Sequence, residues 1–140
     1  MTKQQIMKRA HEIARQGNGE YRIRLAGALR QAWTEAKQRR IEVRLPQLGG
    51  KLWEKNGMRR IYINDLTGWY GLEVERYHTG NIRNAALNER RISNTKARQI
   101  DGRLARAKLY YDLTDGQFHG KDIEQGDFDL IVAAIKHAAI

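Results

Sequence analysis

One dipeptide narrows the fold of this chain more than any other: Asn56-Gly57, set between the runs Lys51–Lys55 and Met58–Ile63. Asn and Gly accept positive φ at both central positions of a type I′ turn, whose twist matches two antiparallel strands. The spacing therefore predicts a β-hairpin in which Glu54 opposes Arg59 and Leu52 opposes Ile61. One face carries Leu52, Ile61 and Ile63, and the other Trp53, Arg60 and Tyr62.

The chain upstream reads as helical. Thr2 with Gln5 fits a capping box, and Ile6, Met7, Ala10, Ile13 and Ala14 recur at helical spacing. Gly17-Asn18-Gly19 is a stop signal. A second helix is expected from about Glu20 to Arg39, with Tyr21, Leu25, Leu29, Ala32, Trp33 and Ala36 inward and Arg22, Arg30, Lys37 and Arg40 outward. The short link predicts an antiparallel helical hairpin. Residues 41–45 (Ile-Glu-Val-Arg-Leu) alternate as a half-buried strand would, ended by Pro46 and Gly49-Gly50.

Downstream, Asn64 or Asp65 can cap a short helix through Tyr70 that Gly71 closes, and Leu72–Tyr77 alternates weakly as a strand. Ile82, Ala85, Ala86 and Leu87 suggest a brief helix. Ser93 is a good N-cap for a helix from Asn94 to about Arg106, with Ala97, Ile100 and Leu104 inward. Leu109–Asp112 and Gln117–His119 read as two strands about a Thr114-Asp115-Gly116 turn. Asp127 can cap a last helix bearing Phe128, Ile131, Val132, Ile135 and Ala138. The expectation is an α+β fold with an N-terminal helical hairpin, a central β-hairpin, a winged-helix-like C-terminal part and a C-terminal helix. It forms a single compact domain over residues 1–140, with a possible seam near 64–80.

Charge limits function. The 140 residues carry 26 Lys and Arg against 16 Asp and Glu, a net of +10. Residues 1–63 hold 15 cations and 5 acids, and residues 83–108 hold 8 and 2; residues 109–140 reverse the sign with 2 and 6. Clustered cations favour a polyanion partner through counterion release, although a basic surface also serves solubility. There are no cysteines, which excludes disulfides, thiolate metal sites and a Cys nucleophile. No window approaches 18 apolar residues, so no membrane span is expected, and the basic N-terminus lacks the apolar stretch of a secretory signal. A soluble, intracellular, basic globular protein is the resulting expectation.

The order helix, turn, longer helix, hairpin over residues 81–119 resembles the C-terminal part of a winged helix-turn-helix domain. That resemblance implies that the longer helix enters a major groove and the hairpin touches backbone. It would assign Lys96, Arg98, Gln99, Arg103 and Arg106 to base edges or phosphates, with Arg90 and Arg91 on phosphates. A separate basic site is the hairpin itself. Trp53 and Tyr62 beside Lys55, Arg59 and Arg60 offer the stacking and backbone contacts that single-stranded nucleic acid needs, although large aromatics more often belong to a core. The run Met7-Lys8-Arg9-Ala10-His11-Glu12-Ile13-Ala14-Arg15, with Ala28-Leu29-Arg30-Gln31-Ala32-Trp33, resembles small uncharacterised phage and mobile-element proteins. These include regulators and inhibitors of host defence, and the resemblance implies a cytoplasmic protein of a bacterial or phage-infected host cell.

Catalytic patterns are incomplete. His11-Glu12 begins a zinc-protease pattern, but Arg15 stands where the second histidine belongs. Gly17-x-Gly19 meets Arg22 instead of a third glycine. Asp122, Glu124, Asp127 and Asp129 lack the spacing of a calcium loop. Glu35-x-Lys37 has no partner aspartate nearby, and His78 with His119 could meet only through the fold. No cofactor or metal is expected. The leading expectation is a non-enzymatic nucleic-acid-binding protein, duplex DNA before RNA. The alternative is a small phage-type inhibitor that binds a host nucleoprotein complex such as a CRISPR effector. A small nuclease is a third reading.

Overall fold

The computed structural model describes residues 2–17 and 19–139. Asn18 of the predicted stop signal lies outside the described residues. The chain forms two compact units, one up to Val43 and one over Arg44–Ala139, and the boundary falls inside the second helix.

The first unit is a helical hairpin. Helix α1 (Lys3–Arg15) opens with the predicted capping box: the Gln5 amide donates to Thr2 Oγ1 at 3.2 Å, and the Thr2 amide to Gln5 Oε1 at 2.8 Å. Helix α2 (Tyr21–Gln47) returns beside it. The interface is built from small residues, Ala10 and Ala14 with Ile6 against Ala28, Ala32 and Ala36, with Ile13, Leu25 and Leu29 partly covered around them. Alanines four apart let two helices approach closely at little side-chain entropy cost. Trp33, Tyr21 and Met7, expected inward, are instead about 40% exposed. The Ala28 row, one side step round the helix, takes their place. Arg24 closes the end of α1 by donating to the carbonyls of Ala14 and Gly17. The Arg9 guanidinium meets Glu35 at 3.0 Å.

The predicted strand at 41–45 is part of α2. Ile41 and Leu45 are buried and Val43 is exposed. Positions four apart share a face in a helix as well as in a strand, so only Val43 distinguishes the two readings, and it sides with the helix. The buried positions also step sideways: from Ala36 to Ile41 the helix turns about 140° beyond one full circle. Pro46, expected to end a strand, sits in the last helical turn, where it forgoes one amide-to-carbonyl bond but has no following turn to kink. A Schellman arrangement then closes the helix. The Gly50 amide donates to the Leu45 carbonyl at 2.9 Å and the Gly49 amide to Pro46 at 3.3 Å, with Gly49 at φ +96°.

The second unit holds two antiparallel sheets. Strands β1 (Lys51–Lys55) and β2 (Met58–Tyr62) form the predicted hairpin in the predicted register, with Asn56 at φ 52° and Gly57 at φ 80°. Helix α3 (Leu66–Tyr70) is capped by Asp65 and closed by Gly71, as expected. Strands β3 (Leu72–Arg76), β4 (Ile82–Leu87) and β5 (Arg90–Ile92) make a three-stranded sheet. Helix α4 (Asn94–Ala105) starts at Ser93, whose hydroxyl accepts from the Lys96 amide, and buries Ala97, Ile100 and Leu104. Strands β6 (Lys108–Asp112) and β7 (Gln117–Lys121) join the first hairpin in the order β1-β2-β6-β7. Helix α5 (Gln125–Ala139) buries Ile131, Val132, Ile135 and Ala139. Among the described residues, no helix is long and apolar enough to cross a membrane.

The predicted brief helix at 82–87 is strand β4. The cause is a bulge: Glu75 pairs with Asn84 but Arg76 pairs with Ile82, leaving Arg83 as an extra residue. A bulge puts residues three apart on one face, so buried Ile82 and Ala85 mimic helical spacing. The correction removes the first helix of the expected helix-turn-helix. The β6–β7 hairpin is likewise no free wing, because β6 pairs with β2 from Arg60↔Asp112 to Tyr62↔Tyr110.

Asp127 does not cap α5. It lies in the first turn at 5% exposure and accepts two bonds from Arg103, at 2.7 and 3.1 Å. This pair ties α4 to α5, and the carboxylate holds the guanidinium pKa above its ordinary value. Replacing Arg103 with Gln leaves a buried carboxylate without its cation. Stability in urea is expected to fall by about 2–3 kcal/mol, and an unchanged midpoint would contradict the role of the pair. At the β6–β7 turn, His119 Nε2 lies 2.6 Å from Asp115 Oδ2. That hydrogen bond, followed by the Gln117 amide, holds the Asp115 carboxyl below its ordinary pKa. A depressed carboxylate pKa adds stability above the unfolded value and loses it as pH falls through the folded one. Asp115→Asn is therefore expected to lessen the drop in thermal midpoint between about pH 5 and pH 2, and an equally steep drop would show that the contact contributes nothing.

Candidate nucleic-acid interface

A strand presents alternate residues to opposite faces. In the four-stranded sheet, Ile61, Leu109 and Tyr111 point inward and are 0–3% exposed. Gly120 shares that face opposite Leu109, and a Cβ there would strike Ile123 and Phe128. The residues of the other face are half-buried or exposed. Register places Trp53 against Arg60, Arg60 against Asp112, Tyr62 against Tyr110, and Tyr110 against His119.

The result is a row of rings crossing all four strands, each half-buried. Trp53 meets Tyr62 edge-on at 6.1 Å, Tyr62 leans on Tyr110 at 5.4 Å, and Tyr110 stacks with His119 at 5.5 Å. Arg60 is wedged among them. Its guanidinium carbon lies 4.4 Å from the Tyr110 ring centre and 5.5 Å from that of Trp53. It donates to the Tyr62 hydroxyl at 3.3 Å, the bond that most raises its pKa. Arg60 thus props the rings through cation–π contacts. Exposed Lys51, Lys55, Lys108 and Lys121 share the same face at its margins, and Lys108 stands directly opposite Lys121.

The nine basic or polar residues expected to touch nucleic acid do not form one surface. Arg60 lies on the ring face. Arg59 lies on the opposite side of β2 and pairs with Glu54 at 3.2 Å. Arg90 and Arg91 are exposed on β5, and Arg91 donates to Asn84 at 3.3 Å. Lys96, Arg98, Gln99 and Arg106 are exposed on or at the end of α4. Arg103 is engaged with Asp127. Beside α4 lies a shallow groove of about 800 Å³ with Arg98, Gln99 and Arg106 on one wall, and Asp122 and Glu124 on the other. That second wall repels phosphate.

Tyr110, Lys108 and Lys121 escaped the sequence reading, and His119 was singled out only with His78. Their link to Trp53 depends on β2 pairing with β6, a non-local contact that no turn signal announces. His78 and His119 lie in different sheets' segments. Asp112, Asp115 and His119 are the one set of potential metal ligands among the described residues, with ligand atoms within 4.8 Å of one another. Their bonds are those of a closed turn: Asp112 accepts from the Thr114 amide at 2.8 Å and Asp115 from the Gln117 amide at 2.9 Å.

Comparison with curated proteins and with solved structures found no match to the chain. A family model does match part of it. Residues 6–70, just under half of the chain, are similar to the family described as Streptococcus thermophilus bacteriophage Gp111 protein. The matched stretch covers most of α1, then α2, the β1–β2 hairpin and α3. It includes Trp53, Arg60 and Tyr62 and stops short of Tyr110 and His119, so the likeness to a phage protein family reaches half of the ring face.

Proposed function

We propose that this protein binds nucleic acid, and that the ring face of the four-stranded sheet receives unpaired bases. The observation that carries this reading is the continuous row Trp53–Tyr62–Tyr110–His119 left half-exposed between lysines. Bases stack on such rings whatever their sequence, while cations follow the backbone. The Lys108–Lys121 pair adds weight. Like charges directly opposite one another destabilise a sheet, and a bound phosphate relieves that repulsion.

Duplex DNA binding through α4 is a second reading. It is favoured by the exposed cations Lys96, Arg98 and Arg106, with Arg90 and Arg91. The mechanism there is phosphate anchoring with limited groove readout. A related alternative is a small phage-type inhibitor that docks on a host nucleoprotein complex, for which partners would survive nuclease treatment of a lysate.

Trp53→Ala and Tyr110→Ala are each expected to weaken binding of a single-stranded oligonucleotide by roughly tenfold, from about 1–3 kcal/mol per stacked base. Duplex affinity changes little in those variants. Lys96→Gln with Arg98→Gln and Arg106→Gln has the opposite pattern if the α4 reading holds. Wild-type single-strand affinity in both ring variants, measured by fluorescence anisotropy, would overturn the sheet reading.

A further inference from the structure

Helix α2 carries a second cationic surface that the sheet reading does not use. Arg22, Arg30, Lys37 and Arg40 are all exposed. At 3.6 residues per turn they fall, with Ala26 and Trp33, within a band about 80° wide. The band runs over about 27 Å of helix at 1.5 Å per residue. Helical acids lie elsewhere: Glu35 and Glu42 are roughly opposite the band, and Glu35 is engaged by Arg9 at 3.0 Å. Among the described residues, none of the four cations has a salt bridge or side-chain hydrogen bond. The contrast with Arg9 and Arg24 on the same unit is direct, since both of those are engaged.

We infer that this band is a docking surface for the sugar-phosphate backbone of a nucleic-acid duplex, read without regard to sequence. Charge complementarity selects the occupant. A duplex presents one negative charge per about 1.7 Å along a stiff axis, which suits a straight, acid-free row on a rigid helix. An anionic lipid surface is disfavoured, because an interfacial helix inserts an apolar face. Ala28, Ala32 and Ala36 of α2 are buried on α1; on and beside the band only Ala26, Trp33 and Ile23 are apolar, too few to make an inserting face. The inference stands apart from the ring face, which takes bases and lies in the other unit.

The test compares the full chain with a variant carrying Arg22→Gln, Arg30→Gln, Lys37→Gln and Arg40→Gln. The probes are a mixed-sequence DNA duplex of about 30 base pairs, oligo-dT of similar length and phosphatidylserine vesicles, across a salt series. The slope of log K against log salt for the duplex is expected to shallow by about 3–4, close to 0.9 per phosphate released, while oligo-dT affinity changes less than about threefold. A milder variant, Arg22→Gln with Arg40→Gln, is expected to give about half that change in slope and guards against misfolding of the fuller one. An unchanged duplex slope in both variants overturns the inference, as does loss of vesicle binding with duplex binding intact. Failure of the ring face would show separately, as oligo-dT binding that Trp53→Ala leaves untouched.

Discussion

The alternation of a β-strand ties the two sides of the four-stranded sheet together. Ile61, Leu109 and Tyr111 go to the core, so their chain neighbours Arg60, Tyr62, Tyr110 and Asp112 must face away from it. A one-residue slip of β2 against β6 would bury Arg60 and expose Ile61. Core packing and the candidate interface are therefore one specification read from opposite sides. The glycine at position 120 belongs to the same constraint, since it admits Ile123 and Phe128 against the inner face. Arg60 then does on the outer face what apolar side chains do on the inner one: it fills the gaps between large rings.

How much was legible follows from how local each determinant is. Asn56-Gly57 specified a turn, a register and two faces, and the Thr2, Asp65 and Ser93 caps were readable because each acts within three residues. Two segments were misread for the same reason: their buried residues satisfy both periodicities. Ile41 and Leu45 sit four apart in a helix, and Ile82 and Ala85 sit three apart across a bulge in a strand. Deciding between them needed Val43 and Arg83, residues whose only signal is that they are not buried. The site divides likewise. Trp53, Arg60 and Tyr62 follow from the hairpin, whereas Tyr110 and His119 arrive by a pairing set by tertiary packing. Arg103 looked like a groove contact because the sequence could not show Asp127 waiting for it.

Net charge was a weak guide until it was placed. Some of the cations are internal struts: Arg24 on two carbonyls, Arg103 on a buried acid, Arg60 among rings. Others face water with no acid beside them, and those are the ones on which the proposed binding rests. The acids of the C-terminal segment divide too: Asp127 is buried against Arg103, whereas Asp115 meets His119 in an exposed turn.

The sidestep in helix α2 carries an evolutionary consequence. Its buried positions run along Ala28, Ala32 and Ala36 and resume at Ile41 and Leu45 on another side. Between those rows the helix acts as a phase-keeper. One inserted residue would swing the second row by about 100°, while a seven-residue insertion would leave it within about 20° of its present bearing. Length variation among natural variants of this segment should therefore favour steps of seven or eleven residues, each about 20° from whole turns, over steps of one or two.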